Sequence, residues 1–208
     1  MGLEQYGLTE DLLDSLSYKS HLDKSLRKTT LHKVEKEVLL EEIQNVIDFY
    51  LENEIFDTSV FDELDYRIKS MDSCIRKYQR YYPNKEINKV FNDILGFRII
   101  VPDYEEIFRL DLSLFDVVDM TSGKAQNDGY RGIHLYYKKT NFHYPIEIQI
   151  NTSKDRQFAD WTHLFIYKYE IGNATSLYLR TLYDDGKIKD IEQFKEVLEN
   201  VLSSGETF

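Results

Sequence analysis

Arg67 and Lys69 stand two apart in DELDYRIKS, and Ser73 and Lys77 stand four apart in the segment that follows. Leu64, Tyr66 and Ile68 alternate with Asp65, Arg67 and Lys69, the mark of a half-buried strand that turns its charges to one face. A spacing of four puts a hydroxyl and a further lysine on one face of a helix. A strand handing two cations to a helix that offers a hydroxyl and a third cation makes a cradle for a polyphosphate. Lysine supplies compact charge there, and arginine can also stack on a base. Asp93 lies just before an apolar run and Glu147 lies mid-strand on a polar face. Two hard carboxylates beside a triphosphate would hold Mg2+. Taken singly, each of these pieces is more often part of an ordinary surface salt-bridge group. A third constellation is NDGYRGIHLYYKK, residues 127–139, where a tight turn running into an alternating strand brings Tyr130, Arg131 and His134 close together. For one tyrosine among 16, packing is the ordinary role.

These side chains need elements to aim them. Residues 9–22 read as a helix with Thr9 as N-cap and Glu10 and Asp11 in its first turn. Leu31, Val34, Val38, Val46 and Tyr50 recur near the helical period and predict a longer helix ending near Glu52–Asn53. After the DYRIKS strand come a helix over 72–82, stopped by Pro83, and a short helix near 86–92. GFRIIV reads as a strand inside a sheet, and another strand falls near Phe115–Asp119, before a polar loop at Thr121–Asp128. RGIHLYYKK and HYPIEIQINT are strands; in the second, Ile146, Ile148 and Ile150 face inward while Glu147, Gln149 and Asn151 share the other face. Residues 154–169 are expected to be helical, a loop follows near Gly172–Asn173, and Ile188 to Leu202 is an amphipathic helix. The fold class is α+β, or mixed α/β: a mixed β-sheet with flanking helices. One domain over 1–208 is expected, with a core over about 55–170 and helical extensions over about 9–52 and 186–203.

A net charge of −11 counts against polyanion binding. The charge is uneven, however. KSHLDKSLRKTTLHKVEK, residues 19–36, carries Lys19, Lys24, Arg27, Lys28, Lys33 and Lys36 against only Asp23 and Glu35. Such a run is either a solvated helix face or a patch that meets phosphates. An apolar content of 42% and three prolines suit a compact soluble protein, and no apolar run approaches the roughly 20 residues needed to span a bilayer. The N-terminus does not read as a signal peptide. Cys74 is the lone cysteine, which excludes an internal disulfide or a multi-cysteine zinc cage and makes the cytoplasm the expected location. Cys74 itself is expected to be packing.

In order, the chain reads YRIKSMDSCIRK, NDILGFRIIV, NDGYRGIHLYY, PIEIQINT and DWTHLFIYK. This succession closely resembles the synthetase domain of the RelA/SpoT family, whose signatures run R-x-K-x-x-x-S-x-x-x-K, D-I-x-G-x-R, G-Y-R-S-x-H, E-x-Q-I-R-T and E-H-x-x-x-Y-K, over roughly residues 60–170. The resemblance implies a nucleotidyltransferase-like synthetase fold and a pyrophosphotransferase that moves the β,γ-pyrophosphate of ATP to a ribose 3′-hydroxyl and releases AMP. By the same resemblance Arg67 and Arg98 would sandwich the adenine, with Lys69, Ser73 and Lys77 on the phosphates. Asp93 and Glu147 would hold Mg2+, and Glu147 would help activate the attacking hydroxyl. Tyr130 would stack on the acceptor base, with Arg131 and His134 near the phosphates and Gln149 supporting the acceptor. Three positions depart from the signatures: Gly132 replaces a serine, Asn151 an arginine, and Thr162 the glutamate before His163. Fewer charges on the acceptor side weaken the case for GDP or GTP held by its own 5′-phosphates. The toxic branch of the family's small forms, which modifies the 3′ CCA end of tRNA, is therefore the expected match, with Lys24, Arg27, Lys28 and Lys33 meeting the acceptor stem and a cognate antitoxin protein as partner. The alternative is a (p)ppGpp synthetase. A non-catalytic nucleotide-binding regulator is disfavoured because both carboxylates are present.

Overall fold

A computed structural model describes residues 2–57, 61, 64–123, 128–166 and 172–204 of the chain. The class is the expected one: helices α1 (Glu10–Ser15), α2 (Lys36–Leu51), α3 (Met71–Tyr81), α4 (Ile87–Val90), α5 (Glu105–Phe108), α6 (Ser153–Phe165), α7 (Asn173–Asp184) and α8 (Ile191–Ser204) accompany five strands. The strands are β1 (Asp65–Ile68), β2 (Leu95–Val101), β3 (Phe115–Asp119), β4 (Ile133–Tyr137) and β5 (Ile146–Thr152), in one mixed sheet of order β1-β2-β5-β4-β3. Internal contacts divide the chain into two compact units. One comprises Met1–Ile99, Ile107–Val117 and His134–Gln149, the other Ile100–Glu106, Val118–Ile133 and Ile150–Phe208.

In the first unit β1 pairs antiparallel with β2, placing Arg67 opposite Gly96 and Asp65 opposite Arg98. The alternation in DYRI therefore forms the strand it predicts. Thr9 caps α1 through its Oγ1, which accepts the Leu12 N–H at 3.1 Å. The helix is shorter than its periodicity suggests, and the longer helix expected from Leu31 is broken: a single 3-10 turn over Leu31–Lys33 ends at the extended Val34, and α2 begins at Lys36. The chain over 16–35 instead makes, beside local turns, backbone hydrogen bonds with other segments: Ser20 to Phe142, Leu26 to Asn141 and Leu31 to Lys85 as donors, with Thr29 accepting from Ile87. The buried Glu42 of α2 accepts the His21 N–H at 3.0 Å and pins the segment down. Long-range pairing thus overrides the local period. On α2 the buried face is Leu39, Ile43, Val46, Ile47 and Tyr50, while Val38 lies exposed.

In the second unit α6, α7 and α8 enclose a core of Phe158, Trp161, Ile166, Leu179, Tyr183, Ile188, Phe194 and Leu198. Sequence reading placed no helix over 173–184. Its residues include threonine, tyrosine and serine, weak helix formers, and burial of one face compensates. Arg180 on α7 is 3% exposed. Its NH2 meets Asp155 Oδ1 at 2.6 Å and its Nε meets Asp184 Oδ2 at 3.0 Å. Asp155 in turn accepts from the Tyr104 hydroxyl at 2.7 Å. Gly129 lies against this arginine at φ +76°, and a Cβ there would stand 2.8 Å from Arg180 Cβ. The turn before Tyr130 needs glycine for both conformation and space. Removing one partner of a buried ion pair strands the other, so Arg180→Met is expected to cost about 3–5 kcal/mol of unfolding free energy, measured by urea titration. A loss under about 1 kcal/mol would place the pair among weak surface bridges.

Candidate active site

The first unit gathers most of the residues singled out above. β1 aims Arg67, and the chain just past it aims Lys69, whose backbone N–H donates to Ile94 O at 2.8 Å. α3 contributes Lys77 one turn after Ser73. Lys69 Nζ reaches Asp93 Oδ2 at 2.6 Å and Lys77 Nζ reaches Asp93 Oδ1 at 2.9 Å, so each lysine holds one oxygen. Arg67 NH2 stands 3.6 Å from Asp93 Oδ2 and 4.0 Å from Glu147 Oε2. The two carboxylates therefore face the same space, with one guanidinium between them. Gly96 lies opposite Arg67, and a Cβ there would be in ordinary contact with Glu147 Oε2 and the Arg67 side chain. Asp93 is 6% exposed. Burial pushes its carboxyl upward, but Lys77 and Lys69 outweigh that and hold it below the usual carboxylate range. Cys74 is buried behind this cluster, and burial raises its thiol to about 11. It is packing, as expected, and not a nucleophile.

Glu147 is held by a clamp of donors. His134 Nδ1 lies 3.1 Å from Oε1, the Tyr136 hydroxyl donates to the same oxygen at 3.1 Å, and Gln149 Nε2 donates to Oε2 at 2.7 Å. Burial raises this carboxyl; His134 and Gln149 outweigh both burial and the like charge of Asp93 and bring it below its usual value. Both carboxylates are thus anions at neutral pH. Tyr136 is the residue that sequence reasoning missed. The available signal was alternation along IHLYY, which sets it on the face of His134. Tyr136→Phe removes one donor from Oε1 and is expected to lower kcat about 10-fold while leaving the KM for ATP within about 2-fold. Unchanged kcat would reduce the phenol to packing.

Arg98 NH1 lies 3.5 Å from Asp65 Oδ2, and its Nε is buried with no hydrogen-bond partner among the described residues. The Ser73 hydroxyl accepts from Ser70 Oγ and Arg76 NH2, each at 3.0 Å, rather than meeting Lys77. In the second unit Arg131 NH2 pairs with Asp184 Oδ2 at 3.0 Å, and Asn151 lies beside Tyr130. Thr162 is buried, with its hydroxyl on the Ala159 carbonyl at 3.0 Å. Lys19, Lys24, Arg27, Lys28, Lys33 and Lys36 are all exposed, and among the described residues none forms an ion pair; Lys24 donates to the Lys33 carbonyl at 3.0 Å. Asn127 and the final Tyr167 and Lys168 of the signatures lie outside the described residues.

Residues 66–172 match the family described as the region found in RelA / SpoT proteins. That is just over half of the chain. The chain belongs to the RelA/SpoT family. As a RelA/SpoT protein it is an ATP-dependent pyrophosphotransferase. Its fold is similar to that of the small alarmone synthetase 1 from Bacillus subtilis, at 22% identity over 81% of this chain and 96% of that one, with a TM-score of 0.43. Small alarmone synthetase 2 from the same organism is similar at 21% identity over 80% and 96%, with a TM-score of 0.43. A GTP pyrophosphokinase family protein from Streptococcus pneumoniae is similar at 16% identity over 81% and 96%, with a TM-score of 0.39. No curated protein matches the chain. No helix among the described residues of this RelA/SpoT protein is long and apolar enough to cross a membrane.

Proposed function

We propose that this chain transfers pyrophosphate from ATP to the ribose 3′-hydroxyl at the CCA end of tRNA. The observation that carries the donor half is the convergence of Lys69 and Lys77 on Asp93, with Arg67 between Asp93 and Glu147. A triphosphate entering this cluster replaces the carboxylate as partner of three cations, while Arg67 and Arg98 offer planar faces to the adenine. Ser73 adds a hydroxyl to the phosphate side. Two buried, ionised carboxylates fit Mg2+, which takes its other ligands from phosphates and water; among the described residues no cluster of three or more potential ligands suggests a closed metal cage. When bound, the ion would sit on Asp93 and Glu147 and neutralise phosphate charge. The acceptor 3′-oxygen attacks the β-phosphorus, the bond from that phosphorus to the α,β-bridging oxygen breaks, and AMP leaves with the bond's electron pair. Glu147 accepts the hydrogen bond of the attacking hydroxyl, orients it, and takes up its proton late, once the new oxygen–phosphorus bond has formed. A carboxylate clamped by three donors is a weak base, and phosphoryl transfer of loose character asks mainly for positioning and charge stabilisation. His134 stays beside that carboxylate, Gln149 supports it, and Tyr130 gives the acceptor base a stacking face next to Arg131.

Charge argues for a polymeric acceptor. In the second unit Arg131 and Lys154 both sit on Asp184, and Arg156 pairs with Asp160. The position that is arginine in the family's signature is the neutral Asn151. Free charge lies instead on Lys24, Arg27, Lys28 and Lys33, a surface suited to the backbone of an acceptor stem. Such an enzyme would stop translation, and a cognate antitoxin would be its protein partner. A second reading, synthesis of (p)ppGpp from GDP or GTP, is favoured by Asp184: Arg131 and Lys154, at 3.0 and 3.1 Å from it, are a pair of cations that a nucleotide 5′-phosphate could claim. Incubation with γ-labelled ATP and deacylated tRNA, GDP or GTP separates the two. Label in tRNA with release of AMP is expected; label in guanine nucleotide with tRNA unmarked would establish the second reading.

A further inference from the structure

Two of the departures from the family's signatures lie against each other. Asn151 on β5 is 1% exposed. Its Nδ2 donates to the Arg131 carbonyl at 2.8 Å and makes a long contact, 3.4 Å, with the Tyr130 hydroxyl. A Cβ at Gly132 would stand 2.6 Å from that same Nδ2, 2.9 Å from the Tyr130 hydroxyl and 3.0 Å from the Ile150 carbonyl oxygen. A serine at 132 would therefore displace the amide, the phenol or both. Gly132 is needed for space, and the space is filled by Asn151. Turning the amide over would set Oδ1 against the Arg131 carbonyl, two acceptors face to face, so the hydrogen-bond network fixes its orientation. In that orientation Oδ1 is buried with no partner among the described residues. A buried acceptor without a donor lowers stability, so the fold alone does not account for an asparagine here.

We propose that Asn151 is a positioning residue for the acceptor: it ties the Tyr130 ring and the Arg131 backbone to β5, and Gly132 is the gap this tie requires. Together the pair sets the pitch of the stacking face and keeps a cation out of the place where the signature has one, so it selects the acceptor. The inference rests on the reading of Tyr130 as the acceptor-base platform. Asn151 bonds to Arg131 and Tyr130, and the space beside Gly132 is bounded by Asn151, Tyr130 and Ile150, so ATP binding is expected to be untouched.

The test is steady-state kinetics of Asn151→Ser, Gly132→Ala, their double variant and Tyr130→Ala, with deacylated tRNA and ATP varied separately, each variant checked for an unchanged cooperative melt. Asn151→Ser and Gly132→Ala are each expected to raise the KM for tRNA about 10-fold, with the KM for ATP within about 2-fold. In the double variant the added Cβ no longer meets the amide, so its loss is expected to be smaller than the product of the single losses. The inference is overturned if both single variants keep the wild-type KM for tRNA, if the single losses multiply, or if the KM for ATP rises in step. Should Gly132→Ala fail to fold, Asn151→Ser alone decides. Tyr130→Ala separates the two levels: if it leaves the KM for tRNA unmoved, the platform reading itself fails. If it raises that KM while the Asn151 and Gly132 variants do not, only the positioning role fails. Should GDP prove to be the acceptor, the same series with GDP gives the same expectations.

Discussion

Glu147→Gln is expected to lower kcat about 1,000-fold with either acceptor, while the protein stays folded with a melting temperature near wild type. The substitution keeps shape and hydrogen-bonding capacity: Tyr136 can rotate its hydroxyl and Gln149 can turn its amide to meet the new side chain. What disappears is a buried negative charge 4.0 Å from Arg67, held anionic by His134 and Gln149. A neutral amide can neither share a magnesium ion nor accept a hydroxyl hydrogen bond with comparable strength. Asp93→Asn is expected to lose activity to a similar degree and to melt lower as well, because Lys69 and Lys77 then lose their counter-charge and Arg67 keeps only Glu147. Retention of more than a tenth of wild-type turnover by Glu147→Gln would remove the carboxylate from the reacting centre.

Reversal of Lys24, Arg27, Lys28 and Lys33 to glutamate is expected to reduce tRNA labelling about 100-fold or more at physiological salt, with ATP consumption on GDP, if any, unchanged. All four are exposed, and among the described residues none is in an ion pair, so the structural cost is confined to the hydrogen bond from Lys24 to the Lys33 carbonyl. A phosphate contact contributes a slope of about 0.7–0.9 in log K against log salt. Loss of the patch should therefore flatten the salt dependence of tRNA binding, which separates a phosphate-binding role from simple misfolding. Undiminished labelling would return the segment to a solvated surface.

The cluster around Asp93 was legible because its signals are local. Alternation along DYRIK, a spacing of four from Ser73 to Lys77, and alternation along IEIQIN each state which way a side chain points once strand and helix are assigned. The contacts that give those residues meaning are long-range and carry no local signal: nothing near Asp93 announces that Lys69 and Lys77 will each take one of its oxygens. Tyr136 was hidden for a similar reason, since alternation puts it on the right face but only the pairing of β4 with β5 sets it against Glu147. Residues 16–22 and 31–35 misled because a helical period survives where backbone bonds such as those from Ser20 to Phe142 and from Leu31 to Lys85 go elsewhere. α7 was invisible to propensity because the burial of Leu179, Arg180 and Tyr183 supports it. The coupling of Gly132 to Asn151 emerges only when both are seen in three dimensions, although each stood out as a departure.

The most direct test of the central claim is the position of the ion. Crystals grown with α,β-methylene-ATP and Mn2+ in place of Mg2+ would locate it by anomalous scattering. The expected result is a peak bridging the carboxylates of Asp93 and Glu147 and the β,γ-phosphates, with Lys69 and Lys77 moved from Asp93 onto phosphate oxygens. A nucleotide bound with its phosphates away from both carboxylates, or an ion held by neither, would contradict it.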